Sequence, residues 1–224
     1  MYVESDDPTR IDAGRRHDAR GALAPQAVVF DVGRVLIEWD LRHLFAKLIA
    51  DQRELDWFLA NVVTEEWHVQ CDAGRSLDEM VPELKARYPQ FAPLIDAYRS
   101  RFLETIPAPV PGTYSLVERL AARGVPVFAL TNFGTEFWAK YRATEPRVSL
   151  FRDVVVSGDE HCAKPDSRIY AIAERRFGLP PQALLFTDDK QENLDAAAAR
   201  GWHTHLFTGA EGLEARLMDD GLLD

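Results

Sequence analysis

Short apolar runs that alternate with helix-patterned stretches constrain this fold more than any other feature of the sequence. Ala27-Val28-Val29-Phe30 is the first run, and 125–130, 154–156, 184–186 and 203–207 follow, all of strand length. Helical patterning covers about 113–123, begins again near Gly134, and returns at about 166–177, at 192–199 and after the last run. Gly124, Gly178 and Gly201 stand where three of these helices should stop. Strands that alternate with helices require right-handed crossovers, and these place helices on both faces of a parallel sheet. The expected fold class is therefore α/β, a Rossmann-like doubly wound parallel sheet of about five strands.

One stretch breaks the alternation. From Leu41 to about Ile106 the apolar residues recur at helical spacing, as in Leu44, Phe45, Leu48 and Ile49, then Leu77, Met80, Val81 and Leu84. No strand pattern interrupts them, and Pro107, Pro109, Pro111 and Gly112 close the stretch. The expected organisation is a core of residues 25–40 and 108–224 with a helical domain, 41–107, inserted into it. Residues 1–24 are polar and aperiodic and read as a mobile extension. Arg15-Arg16 suggests an export signal, but the apolar segment such a signal needs does not follow.

Charge narrows the function classes. A formal charge of −10, from 36 acidic residues against 26 Lys and Arg, disfavours nucleic-acid binding, which depends on neutralising phosphates. It also means that any site for an anion must be built locally. No apolar run approaches a membrane span. Cys71 and Cys162 form neither a CxxC pair nor a zinc-type pattern with histidine, so a reduced, cytoplasmic protein is expected. A monomer or a homodimer would suit the chain.

In doubly wound sheets, ligands bind beyond the carboxyl ends of the strands. Asp31 follows the first run, Thr131 and Asn132 the second, and Asp188 and Asp189 the fourth, while Lys164 lies in the loop after the third. Four loops thus bring carboxylates, a hydroxyl, an amide and an ammonium to one edge. Such a set suits transfer of a group onto an enzyme carboxylate, with Asp31 as nucleophile. Asp31, the Gly33 carbonyl, Asp188 and Asp189 could hold Mg²⁺, which accepts hard oxygen ligands. Lys164, Thr131 and Asn132 would hold phosphate oxygens, with Gly33 and Arg34 beside them.

Phe30-Asp31-Val32-Gly33-Arg34-Val35-Leu36 resembles the first motif of the haloacid dehalogenase superfamily. Leu130-Thr131-Asn132 resembles the second, Lys164-Pro165 the third, and Phe186-Thr187-Asp188-Asp189-Lys190-Gln191-Glu192-Asn193 the fourth. The resemblance implies that residues 41–107 form a small helical cap that chooses the substrate. It also implies Mg²⁺-dependent hydrolysis of a small-molecule phosphate ester through an aspartyl phosphate. One position departs from the usual pattern: phosphatases of the family carry an acid/base Asp where this chain has Gly33, and Arg34 stands where Gly is common. The DxGxV form resembles the sugar-phosphate phosphatase-like branch, and it leaves open a 2-haloacid dehalogenase or a weakly active binding member. Adjacent Asp188 and Asp189 favour a metal, because carboxylates near Asp31 repel one another without a cation.

Structural roles compete with these assignments. Asp31 could cap a turn, Thr131 and Asn132 could cap the next helix, and Lys164 could be a solvated loop residue. Asn193 and Asp195 suit a helix start. His161 and Cys162 are adjacent, so their side chains should diverge, and His203 and His205 read as packing residues of the fifth strand. Phe133, Phe137 and Trp138 also read as packing residues. Trp39, Trp67, His68 and Arg75 could face the substrate from the helical segment.

Overall fold

The computed structural model describes residues 24–224, so the extension expected over residues 1–24 lies outside the described residues except for Ala24. Ala24 is buried. Strand β1, Ala27–Phe30, comes first and is buried on both faces. Helices α1 (Leu41–Phe45), α2 (Gln52–Asn61), α3 (Glu65–Asp72), α4 (Leu77–Arg87) and α5 (Ala92–Ser100) follow it. Each of the first four starts at a polar residue whose side chain accepts a backbone N–H: Asp40, Asp51, Thr64 and Ser76.

Beyond Pro111 the chain alternates as expected. Helix α6 (Thr113–Ala122) leads to β2 (Val127–Thr131), α7 (Thr135–Thr144), β3 (Asp153–Val156) and α8 (Ser157–Glu160). Then come α9 (Ser167–Phe177), β4 (Leu184–Asp188), α10 (Gln191–Ala198), β5 (His203–Leu206) and α11 (Ala210–Asp219). Strand β2 starts two residues later than the apolar run, because Pro126 has no N–H and offers only its carbonyl, to Val28 N at 3.0 Å. The short α8 replaces an expected loop.

All five strands are parallel, in the order β3-β2-β1-β4-β5. Period-two alternation divides β1 between two cores. Val28 and Phe30 join α1–α7 on one face, whereas Ala27 and Val29 join Ile169, Tyr170 and Phe177 of α9 on the other. The strand order reverses at β1, so the ligand crevice of such a sheet should open between the carboxyl ends of β1 and its neighbours. In the β1–β4 register Phe30 pairs with Thr187, which leaves Asp31 and Asp188 as the next residues at that crevice.

Candidate active site

Lys164 organises the crevice. Its Nζ lies 2.9 Å from Asp31 Oδ1 and 2.7 Å from Asp188 Oδ2, and all three side chains are buried. Burial pulls the ammonium towards neutrality, but Asp188 and Asp31 outweigh it and hold the lysine pKa above its ordinary value. Asn132 fixes the lysine backbone reciprocally: its amide donates to the Lys164 carbonyl at 3.0 Å and accepts the Lys164 N–H at 2.8 Å. The loop after β3 is thereby tied to the end of β2.

Asp188 is saturated. Lys190 N–H donates to Oδ1 at 2.8 Å, and Asn193 Nδ2 reaches both oxygens at 3.0 Å. Asn193 is in turn held by its carbonyl, which accepts from the Tyr170 hydroxyl at 2.8 Å. Asp189 faces the pocket instead, and its pKa is raised by burial and by Asp188. Asp31 is pushed up to about 7, chiefly by burial; Lys164 opposes the shift, while Asp188 and Asp189 add to it. Oxygens of Asp31, Asp188 and Asp189 lie within 4.8 Å of one another. Three carboxylates this close, one made reluctant to ionise, fit a hard divalent cation.

These groups lie at one pocket of the sheet edge. Asp31, Gly33, Asn132, Lys164, Asp189, Lys190 and Asn193 line the sheet edge, with Phe133 beside them. Arg34 and Trp39 stand at the side, Arg34 with φ at 60° and 2.7 Å from Glu65 of α3. This left-handed backbone explains why glycine suits the position. The facing wall comes from α3 and Phe102.

Two of the expected site residues do not line the pocket. Thr131 is fully buried at the end of β2, does not line the pocket, and keeps an unpartnered hydroxyl. At the same edge, Asn132 and Lys164 do line the pocket. Asp188 does not line the pocket either, but its carboxylate lies within 4.8 Å of those of Asp31 and Asp189. Of the aromatic and basic candidates on the helices, Trp39 and His68 line the pocket, whereas Trp67 and Arg75 do not. His161, Cys162, His203 and His205 lie outside it, and Phe137 is core, stacked on Phe102 at 3.6 Å. Glu65, Val69 and Asp72 escape the sequence reading. Their spacing with His68, at i, i+3, i+4 and i+7, is one helix face and was the available signal.

Residues 25–201 match the haloacid dehalogenase-like hydrolases. The chain belongs to this family. Among curated relatives, mouse acyl-CoA dehydrogenase family member 10 is 26% identical over 213 residues, covering 87% of this chain and 19% of the mouse protein. An (S)-2-haloacid dehalogenase of Pseudomonas putida is 32% identical over 95 residues, covering 42% of this chain and 41% of the enzyme. The chain therefore spans less than half the length of these two relatives. A sesquiterpene phosphatase of Aspergillus oryzae is 26% identical over 179 residues, covering 79% of this chain and 86% of that protein. Among solved structures, a haloacid dehalogenase family enzyme of Bacteroides thetaiotaomicron, in complex with magnesium and inorganic phosphate, superposes with a TM-score of 0.63. Its identity is 22%, and 83% of this chain and 95% of that one are covered. At that identity the likeness speaks for the fold.

Proposed function

We propose that this haloacid dehalogenase-like hydrolase is a Mg²⁺-dependent phosphatase of a small, sugar-phosphate-like metabolite, working through an aspartyl phosphate on Asp31. The observation that carries the reading is the Asp31–Asp188–Asp189 cluster with Lys164 bridging two of its members. Asp31 and Asp189, with the Gly33 carbonyl, would hold the cation directly, and Asp188 would orient the set. When bound, the cation would offset repulsion between carboxylates and phosphate.

The chain's own residues perform the rest. Lys164 and Asn132 seat the phosphate at the sheet edge, and Arg34 stands at the pocket side as a further cation. Asp31 attacks phosphorus, and water later cleaves the acyl phosphate. The helical segment that contributes α3 and Phe102 to the facing wall acts as the cap that selects the substrate, with Trp39 and Phe102 as apolar surfaces of the pocket. The partner is thus a small phosphate ester. The negative net charge disfavours nucleic acid, and among the described residues no helix is long and apolar enough to cross a membrane. Two free, buried cysteines suit a reducing, cytoplasmic setting.

The test is phosphate release from a panel of sugar and nucleotide monophosphates, with Mg²⁺ and with EDTA, by wild type and Asp31→Asn. Turnover that needs both the metal and Asp31 supports the reading; turnover by Asp31→Asn at the wild-type rate would overturn it. A second reading, 2-haloacid dehalogenase, is favoured by Gly33 and by the Pseudomonas putida relative. It requires halide release that persists in excess chelator.

A further inference from the structure

In-line displacement at phosphorus places the leaving oxygen opposite the nucleophile. Asp31 and α3 line the same pocket, which gives that oxygen room to meet α3. The residue two positions after Asp31 is Gly33, which has no group to protonate it. Two titratable side chains of α3, His68 and Asp72, line the facing wall and are buried. They stand one helical turn apart, with His68 Nε2 at 3.4 Å from Asp72 Oδ2. The third titratable residue of that wall, Glu65, is half-exposed and engaged by Arg34.

The imidazole is held on every side. Its Nδ1 lies 2.7 Å from the Tyr98 hydroxyl, Trp39 stacks on the ring at 4.8 Å, and Phe102 lies on it at 5.8 Å. With Nδ1 engaged, Nε2 is the nitrogen free to exchange a proton with Asp72.

We propose that His68 and Asp72 form the acid/base pair of the reaction, supplied from the helical segment in place of the absent residue after the nucleophile. The proposal rests on the phosphatase reading above. In the first step Asp31 bonds to phosphorus, the bond to the ester oxygen breaks, and its electron pair takes the proton that the pair holds. In the second step water attacks the aspartyl phosphate and gives its proton back to the pair. The phosphorus–Asp31 bond breaks, which restores the carboxylate and releases phosphate. Burial lowers the His68 pKa and raises that of Asp72. Tyr98 is a positioning residue in this scheme. Cys71, also nearby, has its thiol pKa raised by burial and stays protonated.

The experiment compares 4-nitrophenyl phosphate, whose leaving group needs no proton, with glycerol 3-phosphate, whose leaving group does. Wild type, His68→Gln, Asp72→Asn and Asp31→Asn are assayed in Mg²⁺, at steady state and in the first turnover. The expected result for the first two variants is a fall of about 10²–10⁴-fold on glycerol 3-phosphate. On 4-nitrophenyl phosphate they should keep a rapid, stoichiometric first turnover followed by a slow phase, because water lacks its base. Asp31→Asn should lose the burst as well. Equal losses on both substrates, without a burst, would mean a structural role and overturn the proposal.

Two measurements need no catalytic variant. Across aryl and alkyl phosphates, wild-type first-turnover rates should depend only weakly on leaving-group pKa, and a steep dependence would overturn the proposal. A metal ion that copurifies stoichiometrically and is lost in Cys71→Ser would also overturn it, since His68, Cys71 and Asp72 would then be ligands. Failure of wild type to turn over any phosphate ester sinks the phosphatase reading and this proposal with it. Turnover with an indifferent His68→Gln sinks the proposal alone.

Discussion

Replacing Lys164 with methionine tests the electrostatics of the site without inserting a new polar group. In the wild type the ammonium sits 2.9 Å and 2.7 Å from two buried carboxylates. At an effective dielectric near 20, unit charges at about 4 Å attract by about 4 kcal/mol, so each of these closer contacts is worth at least that. The attraction is spent against the desolvation of all three ions. Deleting the cation removes the attraction and leaves the carboxylates dehydrated, a loss of about 3–5 kcal/mol. For a domain of this size, about 2–4 °C of melting temperature per kcal/mol gives a fall of about 6–20 °C. Thermal unfolding followed by circular dichroism in EDTA measures it. Adding Asp31→Asn to Lys164→Met should return part of the loss, because one stranded charge disappears. A melting temperature within about 3 °C of wild type, or a loss that the second substitution leaves unchanged, would refute the reasoning.

Asn132→Leu breaks both hydrogen bonds to the Lys164 backbone, so denaturant unfolding should show a loss of about 1–3 kcal/mol, and kcat should fall as the lysine drifts. Arg34→Gly relieves a left-handed φ while removing a pocket cation; the melting temperature should move little, and KM for a phosphate ester should rise. Glu174 is held below its usual 4.5: burial raises its pKa, but Arg200 and Trp202 lower it further. Because the folded carboxylate binds its proton less readily than the unfolded one, its stabilisation is present above pH 4.5 and lost as pH falls through the folded value. Arg200→Met should therefore flatten the acid limb of stability measured between pH 6 and about 2.5.

The sheet was legible because its signals are local. Short apolar runs and terminal glycines need no knowledge of distant residues, and the strand ends carried Asp31, Asn132 and Lys164 to one edge by topology alone. The wall opposite was not legible for the converse reason. Helix α3 has little amphipathic contrast, with Trp67, Val69 and Cys71 interleaved among Glu65, Glu66, His68 and Asp72. Which of its faces meets the sheet edge is decided by packing of Tyr98, Phe102 and Phe137, residues far away in sequence. Thr131 is a subtler case: it closes β2 fully buried, and burial at a strand end depends on the elements packed over it rather than on the local pattern.

Charge links the legible edge to the proposed chemistry. Three carboxylates meet the ammonium groups of Lys164 and Lys190 at the sheet edge, so the carboxylate charge is in excess if all are ionised. Burial, Asp188 and Asp189 raise the Asp31 pKa to about 7 against the pull of Lys164. An ionised cluster repels both a phosphate dianion and a haloacid anion. Arg34 does not mend this, since Glu65 already engages it. One divalent cation would neutralise the excess, keep Asp31 ionised and admit an anionic substrate. A dehalogenase working without metal would have to achieve the same with Lys164, Lys190 and Arg34. The adjacent carboxylates after β4 thus weigh towards metal-assisted phosphate chemistry more heavily than Gly33 weighs against it.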